Sequence, residues 1–160
     1  MKLKLFPMLI LFSIIIPGVV FAGQYKVVRV VDGDTIVIRY NGTYEKVRLR
    51  CVNTPKPVPS EEKQKDTIAE VAFRYTQKKL TGKYVDLEFE SWSRGKHGVL
   101  YAYVFVDGKN INLDLVRQGL SRYYIKYGES KNYHNEFKIS EKLARKEKLN
   151  IWSNHASTTK

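Results

Sequence analysis

The sequence predicts a mainly β domain in which five short strands close into a small barrel and three helices pack outside it. Three observations carry this. Short runs alternate apolar with polar residues and are separated by turns rich in Gly, Asn and Asp. A stretch with helical apolar spacing lies between the third and fourth runs, and two more follow the fifth. The chain has 160 residues, 43% of them hydrophobic, which allows one ordinary domain with a buried core and excludes wholesale disorder.

Tyr25 to Val31 is rich in β-branched residues, and Asp32-Gly33-Asp34 turns the chain. Thr35 to Tyr40 is the second strand, and Asn41-Gly42 signals a two-residue hairpin. In the third strand, Tyr44 to Val52, Val47, Leu49 and Cys51 point one way and Lys46, Arg48 and Arg50 the other. One face is expected to be core and the other to carry cations.

Three prolines make Thr54 to Pro59 an exposed loop. Asp66 or Thr67 then caps a helix, with Thr67 and Glu70 as a capping box, Ile68, Val71, Ala72, Tyr75 and Leu80 as its stripe, and Gly82 at its end. Val85 to Glu90 and Val99 to Val106 are the last two strands, joined by a polar loop. Asn112 to Gln118 is a short helix closed by Gly119. Tyr123 to Asn132 is irregular, aromatic and basic. Tyr133 to Leu149 is the last helix, with Phe137, Ser140, Leu143 and Ala144 on one face, and Ile151-Trp152 docks its end. Such a barrel is the OB architecture, which commonly takes oligonucleotides or oligosaccharides.

Met1 to Ala22 is a separate object. Lys2 and Lys4 precede an apolar run of about 16 residues broken by Pro17-Gly18, shorter than the ~20 a membrane span needs. Val20-Phe21-Ala22 ends it with small residues where a signal peptidase reads. A cleavable secretory signal over 1–22 is expected, then a domain over 23–154 and a polar tail over 155–160. The implied destination is the periplasm or the outside of the cell, with no membrane span left in the mature chain. The lone Cys51 excludes an intramolecular disulfide and a cysteine zinc site, and suits a buried thiol.

Lys and Arg number 28 against 16 Asp and Glu, a net charge of +12. Such a surface attracts polyanions: nucleic acid, anionic lipid headgroups or acidic glycans. Within it, Arg122, Tyr123, Tyr124, Lys126, Tyr127, Lys131 and Tyr133 interleave aromatic faces with cations, a pattern that stacks bases and neutralises phosphates.

Four runs occur in order along the chain: Val30-Val31-Asp32-Gly33-Asp34-Thr35; Val47-Arg48-Leu49 with Val52-Asn53-Thr54-Pro55; Leu115 to Leu120; and Lys146 to Trp152. Together they resemble the staphylococcal nuclease (thermonuclease) family and span nearly all of the chain after residue 22. The resemblance implies an OB barrel with three helices and a calcium-dependent phosphodiesterase acting on DNA and RNA; a monomer is expected. It also implies roles. Asp34 matches a metal-binding aspartate, with Asp32 one step behind it. Thr54 matches a threonine whose backbone carbonyl reaches the metal. Arg48 matches a phosphate-binding arginine, Lys96 a lysine near the bound nucleotide, and Tyr127 a nucleotide-packing tyrosine whose companion falls at Ile125.

Three departures strike three parts of that mechanism. The second metal-binding aspartate falls at Asn53, which offers an oxygen without charge, so calcium affinity should drop. The glutamate general base falls at Lys56, which when protonated accepts no proton and adds positive charge beside a cation site. The second arginine falls at Val99, and losing a guanidinium that meets transition-state charge costs on the order of 10³-fold or more. The resulting expectation is a secreted binder of nucleic acid or another polyanion with impaired hydrolysis. The alternative is an active metal-dependent nuclease that recruits Glu61 or Glu62 as base and Arg94 as guanidinium. His97 and His134 are further candidate bases. A third reading is an envelope scaffold facing anionic lipid or glycan.

Overall fold

The computed structural model describes residues 24–56, 67–90 and 94–153, with the side chain of Lys96 excepted. The expected signal segment, residues 57–66 of the proline-rich loop with Glu61 and Glu62, and the expected tail lie outside the described residues.

The chain runs β1 (Gln24–Asp32), β2 (Thr35–Tyr40), β3 (Thr43–Leu49), α1 (Ile68–Leu80), β4 (Tyr84–Glu88), β5 (Leu100–Val106), a two-residue β6 (Lys109–Asn110), α2 (Ile111–Arg117) and α3 (His134–Lys146). The strands lie in the order β3-β2-β1-β4-β5-β6, and a parallel β3–β5 pairing, Val47 to Leu100 through Leu49 to Ala102, closes the sheet into a barrel. β1 serves both halves. Its start pairs with β4 and its end with β2, with register shifts near Val27 and Val30 that bend it round the corner. Asn41 (φ 46°) and Gly42 (φ 82°) form the tight β2–β3 hairpin as expected.

Inward residues of β1 to β5 fill the barrel: Val27, Ile36, Ile38, Val47, Leu49, Val85, Leu87, Ala102 and Val104 are sealed from solvent. Leu115 and Val116 of α2 and Phe137 of α3 cap that core. Each Val, Leu, Ile or Phe side chain among them contributes about 1.5–3 kcal/mol by leaving water. Among the described residues no helix is long and apolar enough to cross a membrane.

Helix ends follow the local chemistry. Thr67 Oγ1 accepts the Glu70 amide at 3.2 Å and starts α1. Asn110 Oδ1 accepts the Leu113 amide at 3.1 Å, which starts α2 one residue before the expected Asn112. Asn112, in turn, is buried inside the fold. Its Oδ1 accepts the Val104 amide, and its Nδ2 donates to the carbonyls of Arg50 and Ala102, stitching the rim where β3 and β5 meet.

Three expectations fail. Thr54, placed in an exposed loop, is buried, because its amide and hydroxyl both donate to the sealed Asp34 carboxylate. Arg50, placed on the cation face by alternation, is buried, because β3 ends at Leu49 and Cys51 takes a positive φ of 60°. Once the ladder stops, side chains no longer alternate. Leu143, placed on the core face of α3, is 36% exposed, since only Phe137 and Ala144 of that helix reach the core. Gly119, at φ 65°, lets the chain pass α3's exit: a Cβ there would lie 2.4 Å from the Leu149 carbonyl oxygen. Trp152 docks as expected, with the guanidinium of Arg145 3.8 Å and that of Arg122 4.9 Å from its ring centroid.

Candidate nucleic-acid interface and its carboxylate pair

The site begins at the β1–β2 turn. Helix α1 presses directly on that turn: Thr76 Oγ1 donates to the Gly33 carbonyl at 2.7 Å. A Cβ on Gly33 would meet Thr54 Oγ1 at 2.7 Å and Ala72 Cβ at 2.8 Å, so only glycine lets α1 and residue 54 approach this closely. The clamp aims both aspartates of the turn at the start of the proline-rich loop.

Asp34 is fully buried. Its Oδ2 accepts the Thr54 amide at 2.8 Å and Thr54 Oγ1 at 3.3 Å, and its Oδ1 accepts Thr35 Oγ1 at 3.0 Å. Arg48 Nη2 stands 3.6 Å from Oδ2. Lys56 Nζ lies 2.7 Å from Asp34 Oδ1 and 2.9 Å from Asp32 Oδ2, bridging the two carboxylates. Asp32 Oδ1 accepts the Asp34 amide at 3.0 Å. Burial pushes the Asp34 carboxyl above the usual range against the pull of Lys56 and Arg48. Burial acts on Asp32 in the same sense, but the Lys56 and Asp34 hydrogen bonds outweigh it and hold that carboxyl low.

Asn53 offers its amide oxygen to Arg48 Nη2 at 2.8 Å, and its backbone amide donates to Ser121 Oγ at 2.9 Å. Thus Asp34, Thr54, Asn53, Arg48 and Lys56, named from separate runs of sequence, meet at one place. Val99 is half-buried at the end of the Lys96–Gly98 turn, and its side chain has no group to donate. Arg94 directs Nη1 to the Gly98 carbonyl at 2.5 Å and both Nη atoms to the Glu45 carboxylate at 3.2 and 3.4 Å. His97 is exposed at φ 62° in the same turn. His134 lies 3.1 Å from the Tyr123 hydroxyl and 3.5 Å from Glu129, partners outside the carboxylate pair. Among the described residues no group of three or more His, Cys, Asp or Glu side chains is placed to hold a metal.

Beside the pair, Arg48 lines a small cleft with Tyr101, Tyr124, Tyr127 and Gly128. Tyr127 is 58% exposed and meets Tyr101 and Tyr124 edge-on at 6.4 and 6.0 Å, with Lys126 Nζ 5.9 Å from its ring. The Tyr124 amide donates to the Cys51 carbonyl at 3.0 Å, which anchors the aromatic stretch to the end of β3. Tyr101 escapes a sequence reading. It sits in a strand as an ordinary alternating residue, and only the β3–β5 pairing, Arg48 opposite Tyr101, brings it here.

A family model described as "Staphylococcal nuclease homologue" matches residues 46–154. The chain belongs to this family. The closed barrel with three helices is the family's expected fold. The staphylococcal nuclease relatives include a thermonuclease of Staphylococcus intermedius, 37% identical over 130 residues that cover 81% of this chain and 76% of that protein. Two Bacillus subtilis proteins, the SPbeta prophage-derived endonuclease YokF and the endonuclease YncB, are 36% and 35% identical over 82% of this chain. This chain spans only 44% and 62% of the length of those two endonucleases.

Proposed function

We propose that this staphylococcal nuclease homologue binds nucleic acid or a comparable polyanion and hydrolyses it poorly, as a monomer exported to the periplasm or beyond. One observation carries the binding reading. Arg48, a phosphate-binding position by resemblance, opens onto the same cleft as Tyr101, Tyr124 and Tyr127. A guanidinium beside the exposed Tyr127 ring can hold a phosphate while a base stacks on that ring. Lys96 matches a family lysine near the bound nucleotide, and its side chain lies outside the described residues. The names of the relatives, endonuclease and thermonuclease, agree with a nucleic-acid ligand.

Poor hydrolysis follows from what stands at the reacting positions. A general base must accept a proton from the attacking water, and the matching residue, Lys56, is an ammonium hydrogen-bonded to Asp34. The position that would supply a second guanidinium is Val99. The rival reading, an active nuclease recruiting Arg94, requires that side chain to leave Glu45 and Gly98. It further needs Glu61 or Glu62 to reach the water.

The test is cleavage and binding of a fluorescent single-stranded DNA with Ca²⁺ and with EDTA, beside heparin as a second polyanion. Salt-sensitive binding without turnover is expected. Calcium-dependent cleavage abolished by Asp34→Ala would establish the rival. Equal preference for heparin and DNA at matched charge density would favour the envelope scaffold.

A further inference from the structure

We infer that the Asp32–Asp34 pair takes the Lys56 ammonium as a built-in cation in place of a divalent metal, leaving a metal-free phosphate contact at Lys56 and Arg48. The first part stands on geometry alone; the phosphate contact rests on the polyanion-binding reading above.

The two carboxylates face one cation between them, with Lys56 Nζ 2.9 Å from Asp32 and 2.7 Å from Asp34. Ca²⁺ requires six to eight oxygen ligands, several of them charged. Here the Asp34 oxygens already serve Thr35, Thr54 and Lys56, and the Asn53 oxygen serves Arg48. The residues present therefore do not fit a resident calcium ion. Charge gives the same answer. Two carboxylates stand against one ammonium and one guanidinium, so the cluster is neutral as it is. An arriving divalent ion would meet no net attraction and would have an ammonium as its neighbour.

The tether strengthens the exclusion. Lys56 follows Pro55 and precedes Pro57, so its backbone is confined before its side chain binds. A cation held at the site by its own chain competes at a high effective concentration against a free ion. The Lys56 side chain still keeps 42% of its surface exposed, and Arg48 keeps 27%. Both cations reach the same buried carboxylate while keeping exposed surface of their own, so their remaining donors can meet a phosphate oxygen that a metal would otherwise have held.

Calorimetric titration of CaCl₂ into the purified protein tests the exclusion without any nucleic acid. No saturable heat up to about 1 mM, and no shift of the unfolding midpoint between Ca²⁺ and EDTA, is expected. A saturable calcium site in the natural protein, lost in Asp34→Asn, would overturn the inference. Folded Lys56→Glu should bind Ca²⁺ at least about tenfold more tightly than the natural protein. A folded variant with no gain would refute the ammonium as the excluding group. Should that variant not fold, the titration of the natural protein still decides. Anisotropy of a labelled single-stranded DNA tests the second part. Affinity should be the same in Ca²⁺ and EDTA and fall several-fold in Lys56→Met. Calcium-dependent affinity would overturn the metal-free contact. Absence of DNA binding in either buffer would instead sink the polyanion reading, leaving the calcium titration to judge the pair.

Discussion

Arg50 directs its Nη2 to Glu90 Oε2 at 2.8 Å, and both side chains are almost sealed from solvent. A charge pair at such depth needs further hydrogen bonds to offset the cost of leaving water. Glu90 Oε1 accepts the Tyr103 hydroxyl at 2.6 Å and the Lys131 amide at 2.9 Å. The pair thus ties β5 and the end of β3 to the basic segment that leads into α3.

Glu90 makes acid stability predictable. Burial by itself would raise its carboxyl, but the Tyr103, Lys131 and Arg50 contacts outweigh burial and hold it below the usual range. A carboxyl lowered by folding stabilises the native state above its unfolded pKa. That contribution fades as pH falls through about 4 and is gone below the folded value. Urea midpoints between pH 7 and pH 3 should fall, and Glu90→Gln should flatten the slope. At pH 7 that variant should lose about 3–5 kcal/mol, the cost of breaking a buried pair. An unchanged pH profile in Glu90→Gln would exclude Glu90 as a source of the acid sensitivity.

Gly33→Ala should destabilise by about 1–3 kcal/mol, because its Cβ must push apart Thr54 and Ala72 in a packed corner. Since that corner also aims Asp34, single-stranded DNA affinity should fall with it. Thermal unfolding alongside DNA anisotropy measures both. A neutral result in both would mean that the α1 clamp is not needed.

In the tyrosine cleft, Tyr127→Ala should weaken single-stranded DNA by about 1–3 kcal/mol while leaving stability near that of the natural protein, as the ring is exposed. Arg48→Ala should instead reduce the steepness of the salt dependence by about one phosphate contact. Affinities measured over a salt series separate the two effects. Parallel losses with no change in salt slope would contradict a phosphate role for Arg48.

The triple substitution Lys56→Glu, Asn53→Asp and Val99→Arg supplies the base, the charged ligand and the guanidinium that the resemblance implies at those positions. Calcium-dependent cleavage should appear, exceeding that of the natural protein by on the order of 10³-fold. Val99→Arg alone should do little, because groups that act as a unit are not additive. A folded but silent triple variant would place the defect elsewhere.

Local patterns made much of the fold legible. Period-two alternation located the strands, Asn41-Gly42 the hairpin and Thr67 the start of α1, because each depends on neighbours within a few residues. The Asp32-Gly33-Asp34 turn was legible for the same reason, whereas Arg48 and Lys56 were singled out only by the family resemblance. Boundaries shifted where packing competes with propensity: β5 begins at Leu100, not Val99, and α3 stops at Lys146. The alternation of β3 misplaced Arg50, since a pattern cannot tell where the ladder stops. The helical stripe misplaced Leu143, since it marks a face without saying how much of it another element covers.

The sequence by itself determined which side chains the chain carries to its turns and rims: two aspartates flanking a glycine, a lysine between prolines, an arginine on β3. Tertiary structure alone decided their partners. Lys56 and Asp34 are distant in sequence, and only the barrel with α1 pressed on the turn sets an ammonium between two carboxylates. Tyr101 joins Arg48 and Tyr127 only because β3 and β5 close the sheet in parallel. The physical reason is range. Propensity and periodicity act over a few residues, whereas the electrostatics of a site depend on which charges packing brings within ångströms of one another.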